Sequence, residues 1–176
     1  MIITISGKAG SGKSTISKLL AEKLNLKHYS IGGLMRKLAK EKNISLLGLS
    51  KLAEKNPKID EELDEKQIEL RKKDNFVIDG RLSAFFIPNA DFKIFLECKD
   101  NVRAKRILKD KRETEKGKNV NEMVKKIKER EESERKRYEK YYNVDYYKKD
   151  LYDFIIDTTN LSVGEVIGKI MGFIKK

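Results

Sequence analysis

The sequence is poor in the residues that mark secreted, membrane-spanning or thiol-dependent proteins. Cys98 is the only cysteine among 176 residues, so no intramolecular disulfide can form, and its place beside a predicted strand favours a packing role. No stretch approaches the roughly 18 consecutive apolar residues of a membrane span, and the N-terminus lacks the basic, then apolar pattern of a signal peptide. The only histidine, His28, is interpreted as structural. We expect a cytoplasmic protein without a membrane anchor.

Charge of one sign is in clear excess. Forty Lys and Arg residues against 28 Asp and Glu give a net charge of +12. Residues 103–140 contain 16 basic and 9 acidic residues, and this local surplus of 7 is more than half of the total of 12. Such a surplus suits anionic partners, whether nucleotides, phosphorylated metabolites or nucleic acid.

A phosphate-binding motif follows the first apolar run, Ile2-Ile3-Thr4-Ile5. Residues 7–15 fit the pattern G-x-x-x-x-G-K-[ST], and they are Gly7, Lys8, Ala9, Gly10, Ser11, Gly12, Lys13, Ser14 and Thr15. Glycines let backbone N–H groups close around phosphates, a lysine reaches the β and γ oxygens, and a hydroxyl can bind Mg²⁺. The alternative is a flexible Gly/Ser turn, but the strand pattern before the motif and the helical pattern after it favour a nucleotide phosphate site.

The order of strands and helices predicts a single three-layer α/β domain over residues 1–176, with a parallel five-stranded sheet and helices on both faces. The predicted strands cover residues 2–5, 27–30, 76–78, 92–96 and 152–156. Between the second and third strands, a turn at residues 31–33 precedes three predicted helices, the last of which begins near Asn56-Pro57. Three helices exceed what a crossover needs. Residues 31–73 are therefore predicted to form an insert that covers the substrate.

Charged residues are expected beside the phosphate loop. The third strand ends in Asp79-Gly80-Arg81, and ligands in parallel α/β sheets lie beyond the carboxyl ends of strands. Asp79 could hold Mg²⁺ together with Ser14, and Arg81 could bind a phosphate. Arg36, in the first turns of the helix predicted after residues 31–33, could do the same. The alternatives, a solvated Asp-Arg pair and a surface arginine, stay open.

The predicted helix over residues 119–142 carries charge where apolar residues are expected. Its inward stripe starts with apolar residues but continues at the same spacing into Arg130, Glu134 and Arg137. Because unpaired buried charge is costly, this change indicates a charged ligand or a charge network. A solvated helix with i,i+4 ion pairs is the alternative.

Together these residues suit phosphoryl transfer, which requires positioning and charge neutralisation more than covalent chemistry. Ser-His or Cys-His nucleophilic catalysis has no support in the sequence. Water must be excluded to avoid hydrolysis of the donor, so residues 106–142 are predicted to form a lid.

Four segments resemble the cytidylate kinase family, particularly its short archaeal form. They are the phosphate loop, Ser30-x-Gly32-x-x-x-Arg36, Asp79-Gly80-Arg81-Leu82 and residues 128–138, which contain Arg-Glu-x-x-Glu-x-x-Arg-Tyr. The resemblance runs nearly end to end, and it implies a nucleoside monophosphate kinase that transfers the γ-phosphoryl group of ATP to CMP and dCMP, with Mg²⁺.

The resemblance also implies roles for individual residues. Lys13, Arg81, Arg130 and Arg137 would be catalytic. The acceptor nucleotide would be bound by Arg36, Asp79, Arg81, Arg130, Glu134 and Arg137. Arg106 and Arg112 would contribute from the lid. The bacterial form has an aspartate that reads cytosine where this chain has Leu82, so base selectivity is expected to come from elsewhere, with residues 45–64 as the predicted region.

Two other functions stay open at the level of sequence. One is a kinase for another small acceptor, such as AMP, UMP or shikimate. The other, of a different class, is a nucleic-acid-associated NTPase whose segment 103–140 grips a phosphodiester backbone. The alternating charges of that segment favour a lid over a basic stripe, so we expect the partners to be nucleotides and not nucleic acid. We also expect a monomer.

Overall fold

The computed structural model describes residues 1–175, which form a three-layer α/β fold around one five-stranded parallel sheet with the order β2-β3-β1-β4-β5. Its strands are β1 (Ile2–Gly7), β2 (Lys27–Ser30), β3 (Phe76–Asp79), β4 (Phe92–Glu97) and β5 (Phe154–Asp157). All five strands were predicted from the sequence, and the fold class is confirmed. Strand β1 lies at the centre, where connections leave to opposite sides, and ligand sites of such sheets form at this point.

Helices cover both faces of the sheet. They are α1 (Lys13–Leu24), α2 (Ile31–Glu41), α3 (Leu46–Lys55), α4 (Lys58–Leu70), α5 (Ser83–Phe86), α6 (Asp100–Lys109), α7 (Val120–Tyr142) and α8 (Val163–Ile174). Helices α1 and α8 bury Leu20 and Ile170 against Ile3 and Ile5 on one face. On the other face, Phe86 and Tyr138 pack with Phe76, Ile78 and Phe95. None of the helices in residues 1–175 combines the length and apolarity that crossing a membrane requires.

Helices α2, α3 and α4 share a core of their own, formed by Met35, Leu46, Leu49, Ile59 and Leu63 among others. The predicted turn over residues 31–33 is wrong, because α2 begins at Ile31. The Ser30 hydroxyl accepts a hydrogen bond from the Gly33 N–H at 3.1 Å and caps the helix, so β2 passes directly into α2. The helix predicted to reach residue 73 ends at Leu70.

The last two long helices before β5 agree with the predicted pattern. Helix α7 buries Met123, Ile127, Arg130, Glu134 and Arg137, which confirms that its inward stripe changes from apolar to charged. The sequence pattern predicts that α6 runs from Asp100 to about Arg112, but the helix ends at Lys109, because Lys111 takes a left-handed conformation with φ 47°. The segment 110–119 between them contains no helix or strand, and its middle is fixed by a hydrogen bond from the Leu46 N–H to the Thr114 carbonyl at 2.9 Å.

Candidate active site

Two glycines give the phosphate loop its shape. Gly7 and Gly10 have φ angles of 145° and 75°, values that favour glycine. A Cβ atom on Gly7 would lie 2.4 Å from the Leu96 carbonyl oxygen, and one on Gly10 would lie 2.6 Å from the Arg103 carbonyl oxygen. The loop therefore fits closely against β4 and α6, and it leads into the N-terminus of α1, whose free N–H groups favour an anion.

Arg103 of α6 supports the phosphate loop through a hydrogen bond to its backbone. Its side chain is fully buried, and one guanidinium nitrogen donates to the Ala9 carbonyl at 3.0 Å. The charge is balanced by Asp100 and Glu131, each at 2.5 Å. Sequence reasoning noted Arg103 only as part of a basic helix face, so this supporting contact was missed.

Lys13 is buried at the mouth of the loop and donates to the Lys8 carbonyl at 2.7 Å. Burial lowers the pKa of Lys13 well below its usual range, and the positive charge of Arg81 adds to this effect. A bound phosphate would supply the negative charge that this ammonium group lacks.

Asp79 gathers three side chains at the end of β3. The register of the sheet pairs Asp79 with Ser30 on β2 and with Ile5 on β1, beside the phosphate loop. Ser14 and Ser30 donate hydroxyl hydrogen bonds to Oδ2 at 2.9 and 3.0 Å, and the ring of His28 contacts Oδ1 at 2.8 Å through Nε2. His28 is therefore more than a packing residue, because it helps to fix the orientation of this carboxylate.

The pair formed by Ser14 and Asp79 fits Mg²⁺. Both offer oxygen atoms, which this hard cation prefers, and Mg²⁺ commonly uses one or two protein ligands beside substrate phosphates and water. Within residues 1–175 no group of three or more His, Cys, Asp or Glu side chains forms a metal cage. Oxygen donors at the mouth of a phosphate loop are nonetheless the set that a nucleotide-bound magnesium ion requires.

Glu134 joins two of the predicted arginines. Arg81 Nε donates to its Oε2 at 2.8 Å, and Arg130 Nε lies 2.9 Å from its Oε1. A second nitrogen of Arg81 donates to the Gly7 carbonyl at 2.9 Å, which links the network to the phosphate loop. Burial opposes ionisation of Glu134, but Arg81 and Arg130 hold the pKa of this carboxyl at about 2. Glu134 is thus an anion that positions two cations at the cavity.

Glu115, in the segment between α6 and α7, extends the network. Arg112 donates to it at 2.9 Å, and Arg130 lies 3.6 Å from its other oxygen. Burial raises the pKa of Glu115, but Arg130 and Arg112 outweigh burial and lower it. Sequence reasoning missed Glu115, because nothing in the charged, non-periodic segment singled it out.

Arg36 and Arg106 reach the cavity from different helices. Within residues 1–175 Arg36 has no carboxylate at ion-pairing distance, and burial together with the charge of Arg112 lowers its pKa. Arg106 donates to the carbonyl and hydroxyl oxygens of Thr158 at 2.8 and 3.1 Å. Within residues 1–175, Arg36 and Arg106 thus both reach the cavity without a carboxylate partner, and Arg106 is held by Thr158.

Arg137 differs from the prediction. Its guanidinium donates to both oxygens of Asp60 and, at 3.1 Å, to the Ser50 hydroxyl, and it does not line the cavity. Its inward direction on α7 was correctly predicted, but the carboxylate of α4 holds it away from the ligand space. Direct binding of the acceptor phosphate by Arg137 stays a prediction.

One cavity of about 280 Å³ joins nearly all of these groups. Of the predicted site residues, those that line it are residues 9–15, Arg36, Asp79, Arg81, Arg106, Arg112, Arg130 and Glu134. Gly7 and Lys8 belong to the phosphate loop but do not line the cavity. Arg137 does not line it either, but it binds Asp60, which does. Asp60, Asp64 and Gln67 of α4 also line the cavity. Asp60 and Asp64 fall within the region 45–64 that was predicted to select the base, but none of the three was named as a site residue.

Comparison with known proteins agrees with this geometry. Residues 2–160 match the model of the cytidylate kinase-like family. A cytidylate kinase of Pyrococcus horikoshii is 45% identical over 162 residues, which cover 92% of this chain and 82% of the relative. A cytidylate kinase of Methanosphaera stadtmanae is 40% identical over 171 residues, covering 97% and 95% of the two chains.

The fold is shared more widely. A shikimate kinase structure from Bacteroides thetaiotaomicron superposes with a TM-score of 0.67 at 18% identity, covering 100% of this chain and 99% of its own. This likeness concerns the fold alone, whereas the sequence matches extend over the segments that build the cavity. The chain therefore belongs to the cytidylate kinase-like family, and it is a kinase, as the sequence predicted.

Proposed function

We propose that this enzyme transfers the γ-phosphoryl group of ATP directly, by in-line displacement, to CMP and also to dCMP. The observation that carries the proposal is the single cavity, which connects the phosphate loop with Arg36, Arg81 and Arg130. Two phosphorylated ligands held end to end would place their phosphates among these cations. The relatives named cytidylate kinase support CMP as the acceptor.

Each site residue has a proposed role that follows from its position in the cavity. The phosphate loop and Lys13 would hold the β and γ phosphates of ATP, and Lys13 would follow the transferred group. Arg36 and Arg81 would bind the acceptor phosphate, while Arg130, fixed by Glu134, would face the charge that develops on the moving phosphoryl group. Glu134 would act as a positioning residue for both arginines. The resemblance to cytidylate kinases further suggests that Arg130 and Glu134 lie near the acceptor sugar.

Ser14 and Asp79 would hold Mg²⁺, Asp79 directly or through water. When bound, the ion neutralises phosphate charge and aligns the donor. Residues 31–73 would form the acceptor-binding insert and residues 106–142 the lid. Arg106 and Arg112 would then approach the phosphates from the lid side and help to exclude water. We further propose that the enzyme acts as a monomer in the cytoplasm, the compartment that supplies ATP, Mg²⁺ and nucleotides.

A panel of acceptors tests this proposal. Purified protein is incubated with ATP and Mg²⁺ and with CMP, dCMP, UMP, AMP or shikimate, while ADP release and the phosphorylated product are both measured. We expect CMP and dCMP to give the highest kcat/KM. Preference for AMP, UMP or shikimate would contradict the acceptor while leaving the kinase class intact.

A nucleic-acid-associated NTPase is less compatible with the burial of three arginines in the basic segment. Arg103, Arg130 and Arg137 are buried in ion pairs, so these three are not available to a phosphodiester backbone. The same assay includes RNA in place of an acceptor. ATPase activity that is stimulated by RNA and not by monophosphates would overturn the proposal.

A further inference from the structure

One side of the cavity is lined by hydrogen-bonding groups of α4 and not by arginines. Asp64 and Gln67 both line the cavity and retain only 9% and 2% of their accessible surface. Met35, Leu63 and Leu82 contribute apolar surface to the same cavity. A buried carboxylate and a buried amide among apolar walls suit a flat, polar-edged ring better than a phosphate.

The donors and acceptors of this pair are fixed by their neighbours. Gln67 Nε2 donates to Asp64 Oδ1 at 3.2 Å. The amide oxygen of Gln67 consequently faces Ser83, whose hydroxyl donates to it at 2.9 Å. The hydroxyl of Tyr142 donates to the other oxygen of Asp64. The amide of Gln67 is therefore held in one of its two orientations.

Each member of the pair has hydrogen-bonding capacity left. The second N–H of Gln67 is not used in these contacts, and each oxygen of Asp64 can accept a further hydrogen bond. The pair thus offers an acceptor next to a donor. A ligand that matches it must present a donor next to an acceptor.

We propose that Asp64 and Gln67 read the base of the acceptor nucleotide, with Asp64 accepting from the exocyclic amino group of cytosine and Gln67 donating to ring nitrogen N3. This inference rests on the proposed function and deepens it. Uracil presents the reverse pattern, an oxygen beside an N–H, so it would leave both residues unmatched. Adenine shares the amino pattern on a larger ring, so the pair selects amino bases over oxo bases and does not by itself separate cytosine from adenine.

The electrostatic surroundings of Asp64 agree with a role in accepting from a ligand. Asp60 on the same helix and Tyr142 and Arg137 on α7 are the charged or titratable groups around it. Burial, reinforced by the charge of Asp60, raises the pKa of Asp64 to about 7. An amino group of a bound base would supply the donor that a buried carboxylate needs.

A cycle of protein and substrate changes tests the pairing. The probes are CMP and the ribonucleoside monophosphate of pyrimidin-2-one, which lacks only the exocyclic amino group. With the unaltered protein, we expect the analogue to lose about 10- to 100-fold in kcat/KM. With Asp64→Asn, CMP and the analogue should differ by less than about threefold, and the CMP-to-UMP ratio should fall at least about tenfold. Gln67→Leu should lower kcat/KM for CMP with an unchanged KM for ATP.

The control Glu65→Gln removes the same charge from an exposed position of α4 and should behave like the unaltered protein. An equal loss for the analogue in the unaltered protein and in Asp64→Asn would overturn the pairing. No loss for the analogue in the unaltered protein would also overturn it, and this arm does not depend on a variant folding. A protein that phosphorylates no pyrimidine monophosphate would instead refute the proposed function, so the two failures are distinguishable.

Discussion

Glu134 on α7 contacts Arg81, 53 positions earlier in the chain, with Nε and Oε2 only 2.8 Å apart. Arg130 Nε lies 2.9 Å from Oε1, the other oxygen of the same carboxylate. One buried anion therefore fixes two guanidinium groups from different parts of the chain, the loop that follows β3 and helix α7. The orientation of the cations at the cavity depends on this carboxylate and not on the flexible arginine side chains alone.

Stability should depend on the charge of Glu134. Its pKa is about 2 in the folded protein and about 4.5 in the unfolded chain, so the carboxylate stabilises the fold above pH 4.5. This contribution, about 3 kcal/mol, should disappear as the pH falls from 4.5 towards 2. Chemical unfolding of the unaltered protein and of Glu134→Gln at pH 7, 4.5, 3 and 2 measures it. The difference between the two proteins should shrink with acidity, and a constant difference would contradict the ion-pair explanation.

Arg81 should affect turnover much more than ATP binding. Arg81→Ala removes a cation from the site, and we expect kcat to fall by about 10³-fold with an almost unchanged affinity for ATP. Arg81→Lys keeps the charge but cannot contact both Glu134 and the Gly7 carbonyl, so it should restore little activity. Steady-state kinetics and ATP titration by calorimetry separate the two effects. Unchanged turnover in Arg81→Ala would remove this residue from the mechanism.

His28 should influence the requirement for Mg²⁺. Its ring contacts Asp79 Oδ1 at 2.8 Å, and groups that orient a metal-binding carboxylate commonly contribute about 10- to 100-fold to metal affinity. In His28→Ala we expect the Mg²⁺ concentration for half-maximal activity to rise by about tenfold. His28→Gln, whose amide can still donate, should lie closer to the unaltered protein. If His28→Ala leaves the Mg²⁺ titration unchanged, the histidine only fills space.

The stability contributed by Asp64 should depend on pH in the opposite sense to that contributed by Glu134. Its folded pKa of about 7 lies above the usual value of 3.8, so between these pH values the folded protein holds a proton that the unfolded chain has lost. The unaltered protein should therefore lose stability relative to Asp64→Asn as the pH rises from about 4 to 7, by up to about 4 kcal/mol. Thermal unfolding of both proteins at pH 4, 5.5, 7 and 8 gives the comparison. Parallel curves would show that Asp64 does not titrate in this range.

The periodic and contiguous parts of the site could be predicted from the sequence, whereas its long-range partners could not. The phosphate loop is a continuous motif, and helical spacing was enough to predict that Arg130, Glu134 and Arg137 point inward. The partner of Arg137 is Asp60, 77 positions away, and that contact exists only because α4 packs near α7. Glu115 lies in a segment without periodicity, so only the folded chain reveals its place between two arginines.

Arg137 provides a test of direct against indirect action. Its guanidinium is 2% exposed and is held by Asp60 and Ser50 outside the cavity lining. Arg137→Ala should therefore destabilise the protein by about 3 to 5 kcal/mol, because it leaves Asp60 buried without its partner. The double variant Arg137→Met with Asp60→Asn removes both charges and should regain much of that stability. Urea unfolding measures the stability, and kinetics with CMP measure the consequence for the site. If Arg137 acts only by positioning α4, the double variant should recover kcat as well, whereas a residue that binds the acceptor phosphate would leave kcat low in both variants.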